Sequence, residues 1–345
     1  MSDVSLIIPT RNRADLLANA LTSIAKVVSP SDPVEIIVVD NGSSDRTQKI
    51  FQDINDRFSR NQWRYVYDDM PGLLTGRHRG AREAKGDILS YLDDDIELVP
   101  GWLGALNETF SNPNVVLAGG PSTPVFQKQP PSWLQDFWTE IEGGRQCGWL
   151  SLIDCGCSIK RIDPLCIWGL NFSIRRQTFE YCRGFHPDCL PKPLQRYQGD
   201  GETGLAYKIK DAKFTCLYHP GLAVKHVIPA SRLTASSFEQ RAFYQGVCDS
   251  FAQIRRNQGV RIEPARPLKN FVRLFKSRIN DNLMLHRQST KDARRLTDGA
   301  YLAGMRFHEN EVLNDPRLLD WVLRLDYLDY RLPVGWRSYL CAERS

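Results

Sequence analysis

The chain has 345 residues, room for one large domain with an appendage or for two domains. Hydrophobic residues make up 42% and charged residues 25%, an ordinary globular balance that supports a sizeable core. The formal charge of +5 fits an anionic ligand or surface and is too small to call for nucleic acid.

Val4–Ile8 has the apolar pattern of a short strand, stopped by Pro9, and Leu17, Leu21, Ile24 and Val28 then recur at helical spacing. Pro30 and Pro33 break that pattern. Val34–Val39 is rich in β-branched residues and reads as a buried strand that stops at Asp40 and Asn41. Asp45 and Gln48 have capping-box spacing for a helix through Ile50 and Ile54. Trp63–Tyr67 is a third strand, Leu73–Lys85 a helix, and Asp87–Leu92 a fourth strand that runs into Asp93, Asp94 and Asp95. Pro100 introduces a helix over "GWLGALNETF", and Val115–Ala118 is a fifth strand. This alternation predicts an α/β fold with a mostly parallel sheet, and such sheets bind ligands at the carboxyl ends of their strands. Pro9–Arg13, Asp40–Asn41 and Asp93–Asp95 all lie at such ends.

Residues 120–195 are rich in Pro, Gly, Trp and Cys and read as long irregular loops. Cys147, Cys155, Cys157 and Cys166 crowd this region but lack paired C-x-x-C spacing, so thiols are expected rather than a zinc site. A helix at Leu205–Ile209 and strands at Phe214–Leu217 and Gly221–His226 follow. Beyond residue 230 helical patterns dominate, at Phe238–Arg255 and Pro267–Leu285. In the second, Leu268, Phe271, Val272, Phe275, Ile279 and Leu283 form a stripe, with Lys269, Arg273, Lys276 and Arg278 mostly off it. Such a helix packs on its own protein or lies on an anionic membrane. The first residues lack a charged segment followed by a long apolar one, and no apolar run approaches the roughly 18 residues that span a bilayer. A cytoplasmic location is expected, with peripheral contact at the inner membrane face open through the basic C-terminal helices.

No G-x-G-x-x-G follows the first strand and no G-x-x-x-x-G-K-[ST] occurs, so dinucleotide and P-loop cradles are not expected. The aspartate triplet offers another way to handle phosphates. A divalent cation held between carboxylates and a diphosphate relieves their mutual repulsion and neutralises the leaving group. An acidic turn or helix cap would use the same residues; the position after a buried strand favours the cation.

"SLIIPTRNRADLLANALTSI", "VEIIVVDNGSSDRT", "GLLTGRHRGAREAKGDILSYLDDDIELVPGWL" and "WGLNFSIRRQTFEYCRGF" resemble successive blocks of the family 2 glycosyltransferases. The resemblance covers residues 4–228 and implies the GT-A fold: a Rossmann-like mixed, mostly parallel sheet flanked by helices. It implies a nucleotide-sugar domain at 1–228, leaving 229–345 as a mostly helical C-terminal extension. It also implies that Pro9, Thr10, Arg11, Asp40 and Arg77 bind the donor. A carboxylate can accept a base N–H, which suits Asp40, although capping the next helix is equally within its reach. "GLLTGRHRG" (72–80) has Gly76 and His78 where the family has Ala and Asn.

The triplet matches the family's D-x-D motif. Asp95 would bind Mn²⁺ or Mg²⁺, Asp93 the ribose or the metal shell, and Asp94, the middle residue, falls on the donor side without a firm role. His226 resembles a metal-proximal histidine, and imidazole suits Mn²⁺ better than Mg²⁺; a hydrogen-bonded strand-end histidine is the simpler reading. Asn171 matches on the donor side, and Gly169 and Arg175 on the acceptor and sugar side. Trp168 stacks on a sugar there or packs in the core. The base motif is altered to "QGDGETGL" (198–205), which places Glu202 as the base with Asp200 as the alternative. The implied activity is inverting, metal-dependent transfer from a nucleoside-diphosphate sugar, expected to be UDP-linked. The acceptor would be a saccharide or lipid-linked hydroxyl. A sugar nucleotidyltransferase would carry a Gly-rich basic loop where "IPTRNRADLL" stands, and the altered base motif keeps a catalytically silent binder open.

Overall fold

The computed structural model describes residues 4–58, 63–260 and 287–341. The elements run β1 (Val4–Thr10), α1 (Ala14–Val27), β2 (Val34–Asp40), α2 (Thr47–Phe58), β3 (Trp63–Tyr67), α3 (Leu73–Glu83), β4 (Ile88–Leu92), β5 (Ile96–Leu98), α4 (Trp102–Ser111) and β6 (Val115–Gly119). Then come β7 (Ser122–Phe126), β8 (Thr139–Ile141), β9 (Gly144–Cys147), β10 (Leu152–Asp154), β11 (Lys160–Arg161), β12 (Asn171–Arg175), α5 (Arg176–Tyr181), α6 (Glu202–Asp211), β13 (Thr215–Tyr218) and β14 (Val224–Ile228). The last described elements are α7 (Ala235–Asn257), α8 (Arg287–Asn314), α9 (Pro316–Leu323) and α10 (Trp336–Cys341).

Side-chain alternation along the strands builds two cores on one sheet. Leu6, Ile8, Ile36 and Val38 face α1, α2 and α4, whereas Ile7, Ile37 and Val39 face α3, α5 and α6. Both faces are buried, which is why these strands read as apolar runs. The eight strands lie in the order β11-β13-β6-β12-β4-β1-β2-β3. β1 to β4 are mutually parallel, and β12 runs antiparallel between β4 and β6, so the sheet is mixed. Thr10 pairs with Asp40, and Ile7 with Tyr91, so β1, β2 and β4 end along one edge. A single carboxylate fixes the loops there: Asp45 accepts from Ala14 N at 3.2 Å and Thr47 N at 3.0 Å, capping α1 and α2 together.

Residues 120–195, expected to be irregular, contain six short strands. β7 to β10 join β5 and β14 in a second sheet of order β5-β14-β7-β10-β9-β8. These strands are too short, and too often interrupted by Gly and Pro, for alternation to show in the sequence. Cys147 and Cys155 are buried, Cys157 is exposed and all four cysteines of this region are free thiols; burial pushes Cys147 and Cys166 up to about 11.

The C-terminal helices share the core of the sheet domain. Phe251 of α7, Val312 of α8, Leu318 and Trp321 of α9 and Trp336 of α10 belong to the same apolar cluster as Ile7 and Leu89. Trp321 Nε1 donates to Tyr197 O at 3.0 Å, and Tyr330 OH to Asp68 at 3.1 Å. α7 and α8 approach through Gly246 and Gly304, where a Cβ would strike the opposing backbone. The basic stripe expected at Pro267–Leu285 lies outside the described residues. Among the described residues no helix is long and apolar enough to cross a membrane.

Candidate active site

A cleft of about 590 Å³ opens at the carboxyl ends of β1 and β4. The aspartate triplet forms the turn between β4 and β5. Because His226 pairs with Ile96 across β14 and β5, the imidazole comes to Asp95. His226 Nε2 lies 3.3 Å from Asp95 Oδ1 and 3.2 Å from Arg232 Nη1. Arg13, between β1 and α1, reaches Asp94 at 2.8 Å and Asp95 at 3.0 Å, and Thr10 Oγ1 donates to Asp94 at 2.7 Å. Arg232 approaches Asp95 at 3.6 Å.

A second set of charges is organised by Arg77 of α3, which is fully buried. Its Nη1 contacts Glu202 at 3.0 Å and Asp188 at 3.4 Å, and its Nη2 contacts Asp93 at 3.6 Å. Glu202 begins α6, where a carboxylate also favours the helix dipole. Its other oxygen accepts from Gly169 N at 3.2 Å. Gly169 is required by close approach, since a Cβ would overlap the Arg77 guanidinium. Asp200 lines the cleft and accepts from His186 Nδ1 at 2.5 Å.

The environment separates the carboxylates. Burial alone would raise Asp95, but His226, Arg13 and Arg232 outweigh it and hold the carboxyl at about 2. Burial pushes Asp94 up to about 6, against the pull of Arg13, and also raises Asp93 against Arg77. Glu202 would likewise be raised by burial, yet Arg77 and the amides of Glu202 and Gly169 bring it below the usual range. Asp188 goes the other way: burial, reinforced by Glu202 and opposed by Arg77, pushes it up to about 7.

Pro9, Thr10, Arg11, Arg77, all three aspartates, Gly169, Asp200, Glu202 and His226 line this one cleft. Four other expected residues are used by the fold. The Asp40 carboxylate accepts from Ser43 N at 2.7 Å and from Tyr65 OH, and its neighbour Asn41 lines the cleft instead. Asn171 is buried, donating to Leu222 O at 2.7 Å and accepting from Trp102 Nε1 at 3.3 Å. Trp168 packs against the two apolar clusters beside β6 and β13 rather than into the cleft. Arg175 is placed away from the sugar side altogether. β12 is antiparallel to β4, so Asn171 pairs with Leu92 at the cleft edge whereas Arg175 pairs with Ile88 at the far end. Four residues of strand span about 13 Å. There Arg175 donates to the carbonyls of Val115, Phe110 and Asn112.

Sequence reading placed Arg13 at a strand end without a role and missed Asp188, Arg232 and Arg241. Arg13 stands in the quoted "TRNR", a visible cluster of cations at a strand end. Arg232 and Arg241 come from beyond β14, and α7 supplies Arg241, Tyr244, Gln245 and Cys248 at i, i+3, i+4, i+7 spacing as one wall of the cleft. Asp188 lies in a loop with no periodic signal. His78, a departure from the family pattern, is buried and neutral; burial lowers it to about 3. It joins Phe185 N and Tyr327 O, each at 2.9 Å, and so ties the Asp188 loop to the C-terminal segment. At Gly76 a Cβ would crowd Pro9, so the glycine lets α3 close on β1.

Among the described residues no three metal-capable side chains are already gathered around one point. The donor set nonetheless fits a divalent cation. His226 Nδ1 is buried without a hydrogen-bond partner, Asp95 Oδ1 is approached by His226 Nε2 at 3.3 Å, and Asp93 keeps 30% of its side chain exposed to the cleft. One or two carboxylates plus ligand phosphates are the usual shell for such an ion.

A mixed sheet with a charged cleft over the ends of β1 and β4 defines the GT-A class of glycosyltransferase folds. A mannosyltransferase from Pyrobaculum calidifontis, solved with GDP-Man and Mn²⁺, superposes with a TM-score of 0.54 at 17% identity, over 93% of this chain and 85% of that one. Residues 5–165, a little under half of the chain, match Glycosyl transferase family 2. Glycosyltransferase AglE of Haloferax volcanii is 32% identical over 117 residues, 34% of this chain and 38% of that protein. The glucosyl-dolichyl phosphate glucuronosyltransferase of the same organism is 24% identical over 220 residues, 62% of this chain and 66% of its own. The chain thus spans between about a third and two thirds of these relatives.

Proposed function

We propose that this chain is an inverting glycosyltransferase that moves a sugar from a nucleoside-diphosphate donor, expected to be UDP-linked, to an acceptor hydroxyl. The observation that carries this reading is the meeting of two oppositely charged groups in one cleft. Arg13 and Arg232 contact Asp94 and Asp95, with Arg11 and Arg241 also on the cleft lining, and Asp93, Asp188 and Glu202 gather around Arg77. The cationic group suits the diphosphate and the acidic group suits an incoming hydroxyl.

Asp95, Asp93 and His226 would hold Mn²⁺ or Mg²⁺, which when bound supplies neutralising charge to the departing diphosphate. Arg13 and Arg232, both already in the cleft, would turn from Asp95 toward the phosphates. Glu202 takes the acceptor proton as the acceptor oxygen bonds to the anomeric carbon and the bond from that carbon to the diphosphate breaks. In-line displacement of this kind inverts the anomeric centre. The relative named for a glucosyl-dolichyl phosphate supports a lipid-linked acceptor. Such an acceptor would bring the chain to a membrane surface.

The test is Asp95→Ala in calorimetry with UDP and Mn²⁺. Metal-dependent affinity should be lost while the metal-free signal persists. Unchanged Mn²⁺ dependence in a folded variant would remove Asp95 from the metal site.

A further inference from the structure

Two carboxylates compete for one nitrogen in the acidic group. Arg77 Nη1 lies 3.0 Å from Glu202 Oε2 and 3.4 Å from Asp188 Oδ2, and no other cation contacts either carboxylate among the described residues. Asp188 is held there by the fold rather than by chance. Its carbonyl accepts from Leu73 N at 3.1 Å, which anchors it to the start of α3, four residues before Arg77. Gly72 and Gly201, both with positive φ, bring their backbones against the Asp188–Leu190 loop, and a Cβ at Gly201 would lie 2.9 Å from Asp188 Oδ2. Asp188 Oδ1 is buried without a hydrogen-bond partner, and among the described residues Arg77 is the one cation in contact with this carboxylate, helped by the Leu74 amide.

We propose that Asp188 is a positioning residue that sets the basicity of Glu202 by sharing Arg77 with it. This rests on Glu202 being the base, as above. When Asp188 is neutral, Arg77 pairs with Glu202 alone and weakens it as a proton acceptor. When Asp188 is ionised, it draws on the same guanidinium and repels Glu202, and Glu202 becomes the stronger base. The groups facing Asp188 pull in both directions. Arg77 and the Leu74 amide, both from α3, stabilise its anion, while Glu202 from α6 and Asp93 from the β4–β5 turn oppose it, and the adjacent Cys189 thiol is pushed up to about 12 and stays neutral. Burial together with these charges brings Asp188 to about 7, so the exchange falls at ordinary working pH. Turnover should therefore rise with pH as Asp188 loses its proton.

The experiment is the pH dependence of kcat/KM, between about pH 5.5 and 9, for the wild type, Asp188→Asn and Asp188→Glu. UDP affinity with Mn²⁺ is measured alongside. Asp188→Asn should lose the rising limb near neutrality and stay at the low-pH plateau, several-fold below wild type at pH 8, with UDP affinity within about twofold. Asp188→Glu should keep a limb with a moved midpoint. A limb retained in Asp188→Asn at the wild-type midpoint overturns the proposal. If Asp188→Asn does not fold, an unmoved midpoint in Asp188→Glu overturns it. Failure of the base reading looks different: Glu202→Gln would then keep wild-type turnover whatever Asp188 does.

Discussion

The two charged groups of the cleft are built by opposite means. Around Asp94 and Asp95, cations arrive from three separate places: Arg13 after β1, Arg232 after β14 and Arg241 on α7. Arg241 raises the electrostatic cost of charging Arg232, like sign beside like sign, so this group gains from an incoming anion. Around Arg77, carboxylates arrive from three places on one fully buried guanidinium, and that group gains from an incoming proton or hydroxyl. An excess of charge of either sign is costly without its ligand. The contrast teaches that each half is incomplete toward a different part of the same reaction.

Glu202→Gln attacks the acidic group most directly. Turnover should fall by about 10²–10⁴-fold while Mn²⁺-dependent UDP affinity changes little, as read by initial rates and calorimetry. An equal loss of both would merge the two groups into one. Arg77→Met should act on folding instead. It leaves buried carboxylates uncompensated, at a cost of about 3–5 kcal/mol in a denaturant titration. Acid should relieve it. In the variant these carboxyls lose the guanidinium that opposed their upward shift, so the folded state binds protons more tightly than the unfolded one and gains stability as pH falls. A variant equally unstable at pH 5 and pH 8 would contradict that account.

Arg175→Ala tests the residue that the strand direction moved out of the site. Loss of its carbonyl contacts should cost about 1–3 kcal/mol in thermal melts with kcat/KM unchanged at a temperature where it is folded. A selective loss of kcat would return Arg175 to the sugar side. The smallest effect is expected at the exposed Arg241. Arg241→Gln should weaken UDP binding by about two- to fivefold at low salt, and the difference should shrink as salt is added. No salt dependence would detach Arg241 from the cationic group.

Most of the first half of this picture was legible in the residues. β1, β2 and β4 are buried on both faces and so leave apolar runs, and their polar ends mark the cleft edge whatever the loops do. The Asp93–Asp95 triplet, Arg77 and Glu202 stood in ordered blocks. Of the second sheet only β14 was legible, as Gly221–His226, because the other strands are short and interrupted by Gly and Pro. Asp40 and Trp168, open in the sequence between a ligand contact and a fold contact, and Asn171, expected on the donor side, satisfy fold contacts that only neighbours distant in sequence reveal.

Sequence by itself thus determined the parallel core, the family resemblance and the acidic turn after β4, since local periodicity and strand-end polarity are properties of contiguous residues. Only the tertiary structure decided which charges meet. Arg77 and Asp188 are 111 residues apart, and Arg77 and Glu202 are 125 apart. Their pairing depends on β12 running antiparallel to β4, on glycines that let backbones approach and on α7 closing the cleft. Those are matters of direction and distance, which no spacing along the chain encodes.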